Sequence, residues 1–372
     1  MINNPQPTSA ASQPRGMVQI NGERVIGLVS FDVDNNSFFQ ADTFRLTLAL
    51  SAQPANRGFD YWASQTSLQA ELLLGYPQNV DGYTKSDLKS LLVGYVDDIE
   101  FDPLRDEITM AGRDLTSLLI DKKRSIAFTN LRSSDIAAQM AADVGLKTNI
   151  AATKVFQGTM NQIVKALTND RATYWDTLTK LAQIEQYNVW VSGTTLNFQP
   201  KQSNQDAYVL QYQAPGQQAY MAGNFTAMKF SRNLSVTRGV KVTVRSFVQK
   251  TGKAVTASAT RSRVTNSTTS GVGKTGLPVA EYFFTFPNMT ADQAQAKATA
   301  LAQEISQHEV NLEAEMPGDD LLTPQVQVNV VGTGTKFDQI YYPASIQRRY
   351  SLDEGYRMHL RAKNYSPETQ MS

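Results

Sequence analysis

Residues 91–114 read LLVGYVDDIEFDPLRDEITMAGRD, and this stretch sets the fold class. Leu91 to Tyr95 and Ile99-Glu100-Phe101 run as strand, the chain turns through Asp102-Pro103-Leu104-Arg105-Asp106, and Glu107-Ile108-Thr109-Met110 returns. Thr43 to Leu50 (TFRLTLAL) alternates Phe44, Leu46, Leu48 and Leu50 against Arg45 and Thr47, the period of two that a half-buried strand requires. Upstream, Met17–Ile20 and Val25–Val29 flank Asn21-Gly22, a hairpin signal because both residues tolerate the positive φ of a type I′ turn. Leu68 to Leu74 adds another strand. Residues 17–124 are therefore expected to form an antiparallel β-domain, read as a barrel because several short strands hide their edges by closing. Residues 1–16 precede it as a flexible polar arm rich in Pro and Ser.

The period changes beyond this domain. Ser134 to Val144 places Ile136, Met140 and Val144 at helical spacing, with serines to cap it and Gly145 to stop it. Thr159 to Leu167 and Tyr174 to Gln186 predict two more helices, and Asn188–Val191 pairs with Thr195–Phe198 through Ser192-Gly193. Residues 125–204 thus read as a small α+β domain. Strand signals return at Val240, Val242 and Val244, and again at 310–316, 326–330 and 358–362, so residues 205–372 are expected as a second β-barrel domain. It holds a helix over 290–309, with a capping box from Thr290 to Gln293. A mobile insertion is expected at about 250–276, where Thr, Ser and Gly offer little surface to bury. The fold class is mainly β with α+β, and a β-rich unit at each end suggests a distant internal duplication.

The chemistry that composition excludes is broad. The chain has 372 residues, no cysteine and two histidines, which removes disulfides, thiolate nucleophiles and thiolate zinc sites. His308 and His359 stand far apart without metal-ligand spacing or a nucleophile elbow, so both are read as structural. Gly271-Val272-Gly273-Lys274-Thr275-Gly276 spells a glycine loop, yet Thr268 stands where a phosphate-binding loop needs Gly, and Leu277-Pro278 follows instead of a helix. Asp97-Asp98-Glu100-Asp102 is the densest acidic cluster and reads as a solvated strand face with turn-amide acceptors. No cofactor, metal or catalytic residue is expected. The formal net charge of +1 provides no global field toward DNA or an anionic membrane. No run approaches the length of a membrane span, and the polar first fifteen residues lack the apolar core of a signal peptide, so synthesis in the cytoplasm is expected.

Three stretches resemble one family. Gly94-Tyr95-Val96-Asp97-Asp98 running into Gly112-Arg113-Asp114 resembles the hairpin of phage tail hub proteins. Tyr174-Trp175-Asp176 to Phe198-Gln199-Pro200 resembles their helix-plus-hairpin segment, and Met316-Pro317-Gly318-Asp319 with Gly332-Thr333-Gly334 resembles the late strand and turn of their second barrel. The family is that of late control gene D-type proteins and Mu-like baseplate hubs, related in fold to the N-terminal part of type VI secretion spike proteins. The resemblance implies a homotrimer with two tube-like barrels per chain, placed in the virion tail baseplate, joining the tail tube protein to the central spike protein. Tape-measure and wedge components are further candidate partners, and DNA passes transiently through the lumen. In this reading Gly112 ends a strand, and Arg113 or Asp114 satisfies backbone groups at the helix that follows. A cell-wall hydrolase, a receptor or glycan adhesin, and the hub of a non-contractile tail or phage-derived injection system stand as alternatives.

Overall fold

The computed structural model describes residues 1–3, 13–37, 39–123, 131–154, 172–185, 187–200, 206–214, 222–233, 239–248, 253–261, 279–286, 289–306 and 310–364. The chain is mainly β. A first unit contains β1 (Arg15–Ile20), β2 (Glu23–Val25), β3 (Leu28–Asn36), β4 (Thr43–Ala49), β5 (Gln69–Gly75), β6 (Lys89–Asp102) and β7 (Glu107–Asp114). These pair antiparallel in the order β3-β4-β7-β6-β5-β1-β2. The Asn21-Gly22 turn adopts the positive φ its residues permit, 51° and 82°. A short helix, α1 (Phe59–Ala63), lays Trp62 into the core beneath the strands.

A second unit repeats the first. It contains β11 (Tyr208–Gln213), β12 (Ala222–Gly223), β13 (Ala227–Arg232), β17 (Val310–Pro317), β18 (Val328–Val331), β19 (Ile340–Ser351) and β20 (Gly355–Lys363), paired as β13-β17-β20-β19-β18-β11-β12. Taken in chain order, each strand has a counterpart with the same neighbours. One departure exists: β11 runs parallel to β18 where β1 runs antiparallel to β5. The burial pattern carries the repeat into side chains, since Phe44, Leu46 and Leu48 on β4 match Leu312, Ala314 and Met316 on β17, all buried. The two units join where β3 pairs with β19, making one sheet of fourteen strands over a shared apolar cluster. At the far end of the first unit, β1 comes back against β3 by packing, with Gly16 lying under the rings of Phe31 and Tyr350.

Two smaller units branch from this sheet. The first holds α2 (Ser117–Asp121), α3 (Ser133–Asp143), α4 (Tyr174–Glu185) and the sheet β8-β10-β9, from β8 (Lys147–Ile150), β9 (Tyr187–Ser192) and β10 (Thr195–Pro200). Ile136, Met140, Leu178, Leu181, Val189 and Phe198 share its core. Gly145 ends α3 at φ 77° as expected, whereas the cap is Arg132, whose N–H donates to Asp135, rather than a serine. The helix expected over 159–167 lies outside the described residues.

The second branch corrects the mobile insertion. Residues 253–261 form β15 (Lys253–Arg261), paired antiparallel along the whole of β14 (Val240–Val248), with β16 (Ala280–Thr285) on the other side. Val255, Ala257 and Ala259 turn toward α5 (Ala291–Ser306), whose Ala294, Ala298 and Ala302 form a small-residue stripe that lets helix and sheet approach closely. Ser and Thr on the alternate positions face outward, so a low apolar content was enough for a half-buried strand. The rest of that insertion, 250–252 and 262–276, lies outside the described residues, as does His308. The capping box of α5 is present: Gln293 N–H donates to Thr290 Oγ1 at 3.3 Å and Thr290 N–H to Gln293 Oε1 at 3.1 Å. No helix of the described residues is long and apolar enough to cross a membrane.

Candidate functional site

The residues singled out by sequence fall at the joints between units. Gly94 stands opposite Asp114 and Gly112 opposite Val96 across the β6–β7 pair, and each is glycine because a Cβ there would strike the opposite backbone, Arg113 O or Tyr95 O. Gly112 therefore lies inside β7 and does not end it; the reason for glycine is close strand approach. The register shifts by one residue at Asp97, a bulge that turns its carboxylate toward Arg113. Arg113 grips Asp97 with two bonds, 2.7 and 2.9 Å, and reaches Asp121 of α2 at 3.1 and 3.2 Å. It ties sheet to helix through carboxylates, not through the exposed backbone groups anticipated for it.

Asp114 is buried and does serve the backbone, accepting Thr116 N–H at 3.2 Å and Thr116 Oγ1–H at 2.8 Å. Its own N–H donates to Asp42 O at 2.9 Å. Burial, then the neighbouring Asp42, push the Asp114 carboxyl up to about 8, and burial raises Asp42 to about 6 despite hydrogen bonds from Asn35 and Asn36. Both carboxyls are engaged by neighbouring donors, Asp42 by Asn35 and Asn36 and Asp114 by Thr116. Asp98 is exposed and lines a shallow groove of about 300 Å³ with Asp32, Asp34, Arg45 and Gly112. Glu100 pairs with Arg45 at 2.9 Å, and Asp102 accepts the turn amides of Leu104 and Arg105, as the acidic cluster was read. Among the described residues no group of three or more His, Cys, Asp or Glu side chains is placed to hold a metal ion.

Trp175 is buried in α4 and donates its indole N–H to Phe39 O at 3.2 Å, while Phe39 N–H donates to Val189 O at 3.3 Å. The β3–β4 connection is thus clamped onto the α+β unit, and Phe39 takes φ 77° to do it. Sequence reading missed Phe39, which no local signal marks.

The segment Met316-Pro317-Gly318-Asp319 is the densest joint. Met316 is buried opposite Met358, and Pro317 stands opposite Arg357. Gly318 lies so close over the Tyr356 ring that a Cβ would collide with it, and its carbonyl accepts Tyr76 Oη–H from the first unit at 2.6 Å. Asp319 accepts Tyr208 Oη–H at 2.5 Å and the amides of Leu321 and Leu322. Its carbonyl accepts Tyr356 Oη–H at 2.6 Å and Arg348 Nη1 at 2.7 Å. Burial pushes the phenols of Tyr76 and Tyr356 up to about 12, which keeps them protonated donors. Arg348, 3% exposed, also reaches Asn35 Oδ1 at 2.8 Å, Tyr356 Oη at 2.5 Å and Leu322 O. One guanidinium therefore joins both units. It was legible as a basic residue on the buried phase of Ile346-Arg348-Tyr350, and was overlooked. Gly332 and Gly334 sit in a loop at φ 93° and 67°, pinned by Asp338 accepting Thr333 and Gly334 amides. His359 lies on β20 between Glu315 and Gln347, and the glycine loop at 271–276 is outside the described residues.

No family model matches the sequence, and no curated protein matches it. Solved structures do match along the chain. A tail protein from Neisseria meningitidis superposes with TM-score 0.69 at 14% identity, covering 96% of this chain and 99% of that one. The prophage MuSo2 tail protein from Shewanella oneidensis gives TM-score 0.62 at 15% identity over 97% and 98% of the two chains. Prophage tail protein gp18 from Listeria monocytogenes gives 0.56 at 11% identity over 94% of each. Doubled β-units, two branching α+β units and coverage from end to end agree: this chain has the fold of phage tail proteins.

Proposed function

We propose that this chain is a structural subunit of the baseplate hub of a phage or phage-like tail, a ring of three copies between the sixfold tail tube and the threefold central spike. The observation that carries the reading is the internal duplication. A chain with two units of the same strand order presents two similar surfaces, so three copies offer six, and one sequence can meet a sixfold neighbour on one side and a threefold neighbour on the other. The likeness to tail proteins over nearly the whole chain supports the same setting. The partners in this reading are further copies of itself, the tube protein and the spike protein, with the tape-measure and wedge components beside them. Its role is mechanical rather than catalytic: the strongly shifted carboxyls, Asp42 and Asp114, are engaged in backbone and amide bonds. DNA or other cargo would pass the lumen without being held.

Cryo-electron microscopy of the assembled particle tests this. Three copies on the tail axis, between tube and spike, are expected. A hexameric ring, or a peripheral position away from the axis, would sink the reading. Release of soluble fragments from peptidoglycan by the purified chain would instead support a hydrolase.

A further inference from the structure

We propose that the outer half of β6, Asp98–Asp102, is a docking edge for β13 of a second copy of this chain, in antiparallel register with Lys229 opposite Asp102 and Ser231 opposite Glu100. The inference deepens the ring reading and rests on it. It starts from a residue-level map between the two units. The register shift between Val96 and Asp98 on β6 matches the shift between Pro343 and Ser345 on β19, so Asp97 and Ala344 are equivalent. The map holds at the strand ends: Asp114 N–H donates to Asp42 O at 2.9 Å, and its counterpart Asn364 N–H donates to Val310 O at 3.0 Å.

With the map fixed, the two long strands differ in one respect. On one edge of β19, Ile340 and Tyr341 pair with β18, and Ser345–Ser351 beyond them pair with β3 of the first unit. On the matching edge of β6, Lys89–Tyr95 pair with β5, whereas Asp98–Asp102 have no strand partner on that side among the described residues. The strand equivalent to β3 is β13, which pairs with β17 alone among the described residues. The joint that links unit one to unit two inside the chain is therefore present a second time as two open halves, one on each unit. Unpaired N–H and C=O rows of this kind are templates for another strand.

The side chains fit the match. Inside the chain, Asp32 on β3 faces Arg349 on β19, 3.9 Å apart. Their counterparts are Lys229 on β13 and Asp102 on β6. The signs are exchanged and the complementarity is kept. Asp98 and Glu100 extend the acidic edge, and Phe101 is already turned inward, stacked on Phe59 at 4.3 Å, so the outward positions are the charged ones. Because β13 and the outer half of β6 are different surfaces, the contact is head to tail, the kind that generates a closed ring when the rotation closes.

The absence of cysteine makes the test clean. In a Ser231→Cys/Glu100→Cys variant, oxidation of the assembled protein should yield a ladder of linked chains on non-reducing gels. Each single variant should yield dimers at most, and the out-of-register pair Ser231→Cys/Asp98→Cys should link poorly. Lys229→Glu should weaken self-association about tenfold, since like charges opposed across strands are destabilising, and adding Asp102→Lys should restore it. Inside the chain Lys229 stands opposite Glu313 and Asp102 accepts the Leu104 and Arg105 turn amides, so each variant monomer's melting temperature is measured as well, and the expected sign of the contact is a self-association lost in the Lys229→Glu and Asp102→Lys single variants and regained in the pair. An assembled ring that fails to cross-link through these positions overturns the strand pairing while leaving the hub reading intact. A chain that stays monomeric at its solubility limit and unlinked under oxidation, both alone and within assembled particles, overturns the pairing as well.

Discussion

Arg348 meets no carboxylate among the described residues; three carbonyl or amide oxygens, a phenol and a thioether surround its guanidinium instead. Several dispersed acceptors in a low-dielectric setting replace one counter-ion, and Asn35 Oδ1 and Leu322 O lose this donor if it is removed, while Asp319 O keeps Tyr356 Oη–H. Arg348→Met is expected to lose about 3 kcal/mol in chemical denaturation, and Arg348→Lys little less, because an ammonium cannot reach acceptors spread around a planar fork. Asp114 gives a prediction with the opposite sign to that of most carboxylates. Its folded pKa of about 8 lies above its unfolded value, so between pH 4 and pH 8 the folded state binds more protons than the unfolded one and stability falls as pH rises. Asp42 adds to the same loss between about 4 and 6. Asp114→Asn keeps an oxygen for the Thr116 amide and removes the titration. Its melting temperature relative to the wild type should therefore climb from pH 5 to pH 8.5, each tenfold shift in proton affinity being worth about 1.4 kcal/mol. A constant difference across that range would refute the assignment.

At the scale of elements, what the sequence made legible was whatever alternates. The strands of 43–49 and 107–110, the Asn21-Gly22 hairpin, α4 and the capping box of α5 all follow from period, turn chemistry or caps. The strand β15 did not, because its buried phase is Val255, Ala257 and Ala259, residues too small to register against a background of Thr and Ser. Its partner stripe of alanines on α5 was the missing half of the signal: small residues on a helix call for a sheet at close range. Ala298→Leu should then overpack this contact and destabilise the branch by roughly 1–3 kcal/mol. Hydrogen exchange should speed up at β14 and β15 amides while those of β4 and β7 keep their protection, and equal acceleration in all four strands would contradict a separate core. Sequence reading places Gly112 at the end of its strand, whereas it lies within β7. Strand proximity, which fixes Gly94 and Gly112, depends on a register that one strand's sequence does not contain.

For the whole molecule the decisive relation is between positions some 200 to 270 residues apart, such as β3 with β13 and β4 with β17. No short-period repeat announces it, since the two copies share strand order and burial phase rather than residue identity, and a helix-bearing branch interrupts the second. What divides the chain energetically is also not sequence order. The two repeated units share one apolar cluster, the β3–β19 pairing and the Tyr76, Tyr208, Tyr356 and Arg348 bonds around Asp319, whereas each branch keeps its own core. The doubled sheet should therefore unfold as one cooperative body and the branches at lower cost. Tryptophan fluorescence separates the two, because Trp62 reports the shared cluster while Trp175 and Trp190 report the α+β branch. A variant keeping only Trp62 should show a single sharp urea transition, and Arg348→Met should move that transition to lower urea while leaving nearly in place the transition of a second variant that keeps only Trp175. Two resolved transitions reported by Trp62 would mean that the repeated units are held together less firmly than their shared core requires.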